Sequence, residues 1–200
     1  MTLNEIFKNT TYDGTLFSEE SKAYVESKIS QKTVRGSEVP YITCEIRKKE
    51  IKFTPEEAVR QLYIYKLMYD YGYAASRIQL ETPIHFGREI KRADIAIMDK
   101  DRPMVPYIIV ELKKPKLTDG KEQLKSYCNA TGAPIGVWTN GEQISCYNRK
   151  DPNFFEEISD IPKATQKLSD IISEKFTYED LKKKDKISTQ KKSLRSLIKE

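Results

Sequence analysis

The chain has 200 residues, enough for one core domain with extensions and too few for two large domains. With 38% hydrophobic and 32% charged residues, no apolar run approaches the roughly 18 residues of a membrane span, and no signal-like segment opens the chain. A soluble, cytoplasmic protein without a membrane partner is therefore expected. The net charge of +5 is misleading as a pointer to nucleic acid, because residues 181–200 hold eight Lys and Arg against two acidic residues. Without that tail the chain is close to neutral, so the basicity says little about the core.

Composition excludes further chemistry. Cys44, Cys128 and Cys146 lack metal-type spacing and read as reduced, structural thiols. The single histidine, His85, rules out a histidine-built zinc cluster and reads as a strand-end residue. There is no GxxxxGK[ST] phosphate loop and no dinucleotide fingerprint.

Residues 1–40 form a polar N-terminal extension, with a helix expected from Ser18 to Ser30, Ser18 as its cap, and Tyr24, Val25 and Ile29 on its apolar side. Gly36 and Pro40 interrupt the stretch after that helix. Between Tyr41 and Phe53 the β-formers Ile42, Cys44, Ile46, Ile51 and Phe53 predict short strands around an exposed turn. Thr54-Pro55-Glu56-Glu57 then opens the strongest helix: Thr54 can cap, Pro55 suits the first position, and Glu57 can close a capping box. This helix is expected to run to Gly72. Ile78–Ile84 alternates as a strand does.

The central stretch is Arg92–Ile97 followed by Tyr107–Lys113. Both halves read as strands covered on two faces, yet they carry Asp94, Glu111 and Lys113. Asp99–Pro103 reads as the turn of a hairpin that would bring the three together. After a loop marked by Pro115 and Gly120, Lys121–Ala130 is predicted helical, with Gln123 and Tyr127 as neighbours on one face. Ile135–Thr139 and Gln143–Tyr147 form a second hairpin around Asn140-Gly141. The expected class is α/β (α+β), a mixed central β-sheet flanked by helices, with its core at 41–150. A helical extension is expected at 151–180, and a basic linker with the start of an amphipathic helix at 181–200, leading to a C-terminal region that this chain lacks.

Two carboxylates and an ammonium on one sheet suit metal-assisted hydrolysis. Hard oxygen ligands favour Mg²⁺ or Mn²⁺, which Asp94, Glu111 and the Leu112 backbone carbonyl can hold, with Lys113 beside an attacking water or a charged phosphate. Arg88, Lys91, Arg92, Lys114 and Lys116 surround these positions in sequence and suit a DNA backbone. An isolated D…ExK pattern also arises from surface salt pairing, and Glu57 has its capping role as an alternative.

The segments Thr54-Pro55-Glu56-Glu57-Ala58-Val59-Arg60-Gln61, Arg92-Ala93-Asp94-Ile95-Ala96, Val110-Glu111-Leu112-Lys113-Lys114-Pro115 and Gln123-Leu124-Lys125-Ser126-Tyr127 stand in an order that resembles the nuclease domain at the N-terminus of type I restriction R subunits. The resemblance covers residues 41–150, weakening toward 180. It implies a restriction-endonuclease-like PD-(D/E)XK core and Mg²⁺-dependent cleavage of double-stranded DNA. It places metal-binding carboxylates at Asp94 and Glu111 and the catalytic lysine at Lys113. It also points to Glu57 as a helix glutamate of the site, and to Gln123 and Tyr127 as positioning DNA and the active site. The proline that names the motif is replaced before Asp94 by Ala93. The resemblance further implies methyltransferase and specificity subunits as partners, and ATP use only through a motor domain that this chain does not contain. Similar domains are also fused to DNA methyltransferases, and a non-catalytic DNA-binding or assembly module is the alternative.

Overall fold

Thr54 begins the element on which the site is built. In the computed structural model, which describes residues 1–7, 15–151 and 154–172, its hydroxyl accepts the Glu57 amide at 3.2 Å and Pro55 occupies the first helical position. Helix α3 (Pro55–Tyr65) buries every residue from Glu57 to Tyr65 and continues through a π turn (Lys66–Asp70) toward Gly72, whose φ of 76° ends it. The capping box is half formed. The Glu57 carboxylate turns away from the helix start and takes Arg60 and Gln61 instead, because buried donors there need an acceptor.

The chain divides into two units, Met1–Ser159 and Asp160–Glu200. The first opens with two helices, α1 (Leu3–Ile6) and α2 (Glu19–Glu26), the latter capped by Ser18. The expected helix to Ser30 stops four residues short. Ile29 instead starts a strand, β1 (Ile29–Val34), and lies opposite the buried Ile42 of β2 (Ser37–Thr43). Arg35 and Gly36, both at positive φ, make the two-residue turn between them. Pro40, read as an interruption, lies within β2, where its carbonyl accepts the Phe53 amide at 2.8 Å. Short β3 (Glu50–Lys52) completes an antiparallel three-stranded sheet, as the β-formers there predict.

The second sheet runs in the order β4-β5-β6-β7-β8-β9, with strands Ile78–Phe86, Glu89–Met98, Pro106–Leu112, Ile135–Thr139, Ile144–Asp151 and Phe154–Ile158. All neighbours are antiparallel except β6 and β7, whose parallel pairing is bridged by α4 (Lys121–Thr131). The sheet is thus mixed and flanked by helices, the expected class. Ile95, Ile97, Ile108, Ile109 and Val110 have no exposed surface, which fits strands covered on both sides. Helix α4 comes close to β7 because residue 136 is glycine. A Cβ there would lie 3.0 Å from Cys128 Sγ and 3.2 Å from Leu124 Cγ. All three cysteines are buried thiols outside any disulfide.

Strand β9 corrects the helical expectation for residues after 151. Its burial does not alternate, and it is a strand by pairing with β8, which runs four residues past Tyr147. In the second unit, the Gln166 side chain accepts the Lys163 amide and Asp170 accepts that of Lys167, each at 2.9 Å. The basic linker and amphipathic start expected at 181–200 lie outside the described residues. Among those residues no helix is long and apolar enough to cross a membrane.

Candidate active site

Asp94 and Glu111 lie on adjacent strands, since Ile95 pairs with Val110 in the β5–β6 ladder. Asp94 Oδ2 accepts the Leu112 amide at 2.7 Å, so the carboxylate reaches across to the end of β6. Leu112 turns its amide toward Asp94, while the next residue, Lys113, donates its amide to Thr139 of β7 at 2.9 Å. Glu111 is 2% exposed, and its Oε1 accepts the Lys113 ammonium at 2.8 Å. Its other oxygen, Oε2, is buried and has no hydrogen-bond partner among the described residues. An orphaned carboxylate oxygen in an apolar strand costs about 1–3 kcal/mol or more, so Glu111 is not placed there by a gain in stability.

The second oxygen of Asp94 is held by a residue that carries no signal of a role in the sequence. Arg60, 6% exposed in α3, donates to Asp94 Oδ1 at 2.6 Å and to Glu57 Oε2 at 2.5 Å. It also pairs with Glu81 at 3.2 Å and with Glu56 at 3.7 Å. The hint in sequence was a charge i+3 from Glu57 inside a run of buried positions, but nothing local says that it meets a strand 34 residues on. Glu81 lies opposite Asp94 in the β4–β5 register, at a φ of 53° that breaks the ladder between the flanking pairs Leu80–Ile95 and Thr82–Ala93.

Charge is unbalanced here. Five carboxylates (Glu56, Glu57, Glu81, Asp94 and Glu111) face Arg47, Arg60 and Lys113. Burial, reinforced by the Asp94 charge against the pull of Lys113, pushes Glu111 up to about 7. Burial and the Asp94 charge also raise Glu56. For Lys113, burial opposes the charged form but the Glu111 hydrogen bond and charge prevail, and its pKa rises. A cation added among these carboxylates would relieve that strain. No cluster of three or more His, Cys, Asp or Glu side chains arranged for a metal occurs among the described residues. Mg²⁺, however, takes one or two carboxylates and completes its shell with water and substrate oxygens. Asp94 and Glu111, with the free Oε2 of the latter, fit such an ion.

Around this centre the other predicted residues divide. Tyr127 is buried, takes a hydrogen bond from Gln123 at 2.6 Å, and feels the charges of Glu111, Asp94 and Lys113. Burial is the main reason its pKa rises. Glu57 is spent on Arg60 and on Gln61 (2.7 Å). Arg88, Lys91, Arg92, Lys114 and Lys116 are exposed. Arg88 belongs to the β4–β5 turn, Lys91 is paired with Glu89 at 3.4 Å, and the last two lie in the loop after β6. That loop is tied down by Trp138 Nε1 donating to the Asp119 carbonyl (2.7 Å) and Asn140 Nδ2 to that of Leu117 (2.8 Å).

Comparison with known proteins adds three findings. A family described as the N terminus of type I restriction enzyme R proteins matches residues 55–162, a span holding Glu57, Arg60, Asp94, Glu111, Lys113, Gln123 and Tyr127. A crystal structure of a DUF820 protein from Anabaena variabilis, described as a candidate nuclease, is 15% identical with a TM-score of 0.38, covering 87% of this chain and 92% of that one. That likeness is too remote to bear on the site. No curated protein matches the chain.

Proposed function

The chain belongs to the family of type I restriction enzyme R protein N termini, and from that premise we propose that it is a Mg²⁺-dependent endonuclease domain that hydrolyses phosphodiester bonds of double-stranded DNA. Asp94 and Glu111, with the Leu112 carbonyl, would hold Mg²⁺ or Mn²⁺ in a PD-(D/E)XK site. The ion, when bound, supplies Lewis-acid polarisation of the phosphoryl oxygen and lowers the pKa of a bound water. Lys113 is held beside Glu111 with its ammonium charged, ready to donate to the scissile phosphate or the attacking water. Gln123 and Tyr127, hydrogen-bonded to each other, would position DNA and the active site, and Arg88, Lys91, Arg92, Lys114 and Lys116 would neutralise backbone phosphates.

The observation that carries this reading is the buried Glu111 carboxylate, with one oxygen on Lys113 and the other unpaired, one strand from Asp94. Ion pairing alone would leave no buried oxygen orphaned. Methyltransferase and specificity subunits, an ATP-driven motor outside this chain, and a cytoplasmic setting complete the proposal as the family implies it. The test is cleavage of plasmid DNA by the full-length protein in its complex. Asp94→Ala and Lys113→Ala should each cut at least about 100-fold more slowly in protein that circular dichroism shows to be still folded. Unchanged cutting, or tight metal-independent DNA binding without nicking by the wild type, would favour a non-catalytic assembly module.

A further inference from the structure

Glu57 was expected among the residues that act directly, yet its carboxylate has no free face toward the site. It is 6% exposed, one oxygen accepts the Gln61 amide group at 2.7 Å and the other accepts Arg60 Nη1 at 2.5 Å. The guanidinium then uses its second terminal nitrogen, Nη2, on Asp94 Oδ1 at 2.6 Å. From the opposite side the Leu112 amide holds Oδ2 at 2.7 Å. Asp94 is therefore fixed at both oxygens by donors from two different elements, and the guanidinium is itself fixed by a charge on its own helix turn. A planar fork with two terminal nitrogens is what such a bridge requires; a lysine offers one point charge.

We infer that Glu57 and Arg60 are positioning residues, a buried relay from the first turn of α3 that sets the orientation of the Asp94 carboxylate. Glu57 acts only through Arg60, and Arg60 only through Asp94. The inference deepens the nuclease reading and rests on it for the purpose of the relay, though not for its existence. Three features favour a relay over a plain structural ion pair. The carboxylate outside its own helix to which Arg60 hydrogen-bonds is one of the two proposed as metal ligands. Each carboxylate oxygen has a second lone pair, so both Asp94 oxygens can be held by donors and still accept a cation. Glu81, held at positive φ opposite Asp94, adds a second carboxylate to the nitrogen that donates to Asp94, Arg60 Nη2, at 3.2 Å. Outer carboxylates that orient a ligand in this way are a regular part of metal sites, and their loss typically lowers metal affinity by about 10–100-fold without abolishing it.

Two measurements on the full-length protein test this, using Glu57→Gln and Arg60→Lys. Glu57→Gln keeps the side-chain shape and removes the charge; Arg60→Lys keeps a charge and removes the fork, so the relay remains testable if either variant fails to fold. The first measurement is amide hydrogen exchange without added metal. Leu112 should exchange roughly tenfold faster in the variants, the worth of one weakened hydrogen bond. Lys113, whose amide donates to Thr139 instead, should keep its wild-type rate. The second is Mn²⁺ affinity, with Asp94→Asn as the reference for loss of a direct ligand. Both variants should bind Mn²⁺ about 10–100-fold more weakly than wild type but better than Asp94→Asn. Glu57→Gln binding as poorly as Asp94→Asn would make Glu57 a ligand and overturn the relay. So would wild-type exchange and affinity in both variants, or Lys113 accelerating in step with Leu112, which would mean a general loss of stability. If Leu112 responds but the wild type binds no Mn²⁺, the relay stands and the metal site falls.

Discussion

Gly120 has no side chain, and that leaves room for Lys113. A Cβ on Gly120 would lie 2.5 Å from Lys113 Cε and 3.6 Å from Trp138 Nε1, and the backbone there has a φ of 95°. Gly120→Ala should therefore do two separable things. It should destabilise the fold by about 1–2 kcal/mol, the cost of a left-handed residue with a Cβ. It should also push the flexible end of Lys113 away from Glu111 and slow DNA cutting by up to about 100-fold, the scale of an ångström-sized misplacement. Urea unfolding and cleavage rates on the same preparation check both, and a variant that is destabilised but cuts normally would show that Gly120 is not needed to place Lys113. At this scale, Asp94, Glu111 and Lys113 were legible because charges in apolar strands need a reason. Arg60, Glu81 and Gly120 were not, because each looks ordinary among its neighbours in sequence: a polar helix position, a strand residue, a loop glycine. Their contacts come from what the sheet brings beside them.

Among the elements, α2 and the residues just after it are tied to the turn after β2 by charged and polar contacts as well as by packing. Glu45, in that turn, accepts from Lys28, from Lys48 at 2.6 Å and from the Tyr24 hydroxyl at 2.9 Å, and Tyr24 in turn stacks against Tyr65 and Tyr69. The Lys28 and Lys48 hydrogen bonds, working against burial, lower the Glu45 carboxyl from its usual 4.5 to about 2. A depressed carboxylate pKa stabilises the fold fully above the unfolded value and ceases to do so as pH falls through the folded one. Glu45→Gln should therefore cost about 1–2 kcal/mol at pH 7 after allowance for solvent screening. The difference from wild type should shrink between pH 4.5 and 2. Urea unfolding across that range reads it, and a pH-independent difference would show that the charge is not the cause. Elements were legible where caps and turns announced them: Ser18, Thr54-Pro55 and Asn140-Gly141 all act as their residue types predict. Strand β9 was missed because Phe154–Ile158 carries two glutamates on a short edge segment, and only pairing with β8 makes it a strand. Helix α2 ends before the periodicity predicts because Ile29, which satisfies a helical period, pairs instead with Ile42, too far along the chain to be seen locally.

At the scale of the molecule, the six-stranded sheet is what makes a site out of scattered residues. The antiparallel β5–β6 pair sets Asp94 beside Glu111, the parallel β6–β7 step carries α4 across one face with Tyr127, and α3 delivers Arg60 to Asp94. The mixed sheet could be read from the order of elements, and family membership from four short segments. The electrostatic state of the site could not, since it depends on burial that no periodicity reports. Five carboxylates around three basic groups make a place that a divalent cation would stabilise. That claim is tested most directly by titrating the full-length protein with Mn²⁺, wild type against Glu111→Gln. The wild type should bind saturably, with Mg²⁺ competing, and Glu111→Gln should bind more than about 100-fold more weakly, as loss of a direct ligand exceeds the 10–100-fold effect of an outer one. Equal binding by the two proteins would contradict it.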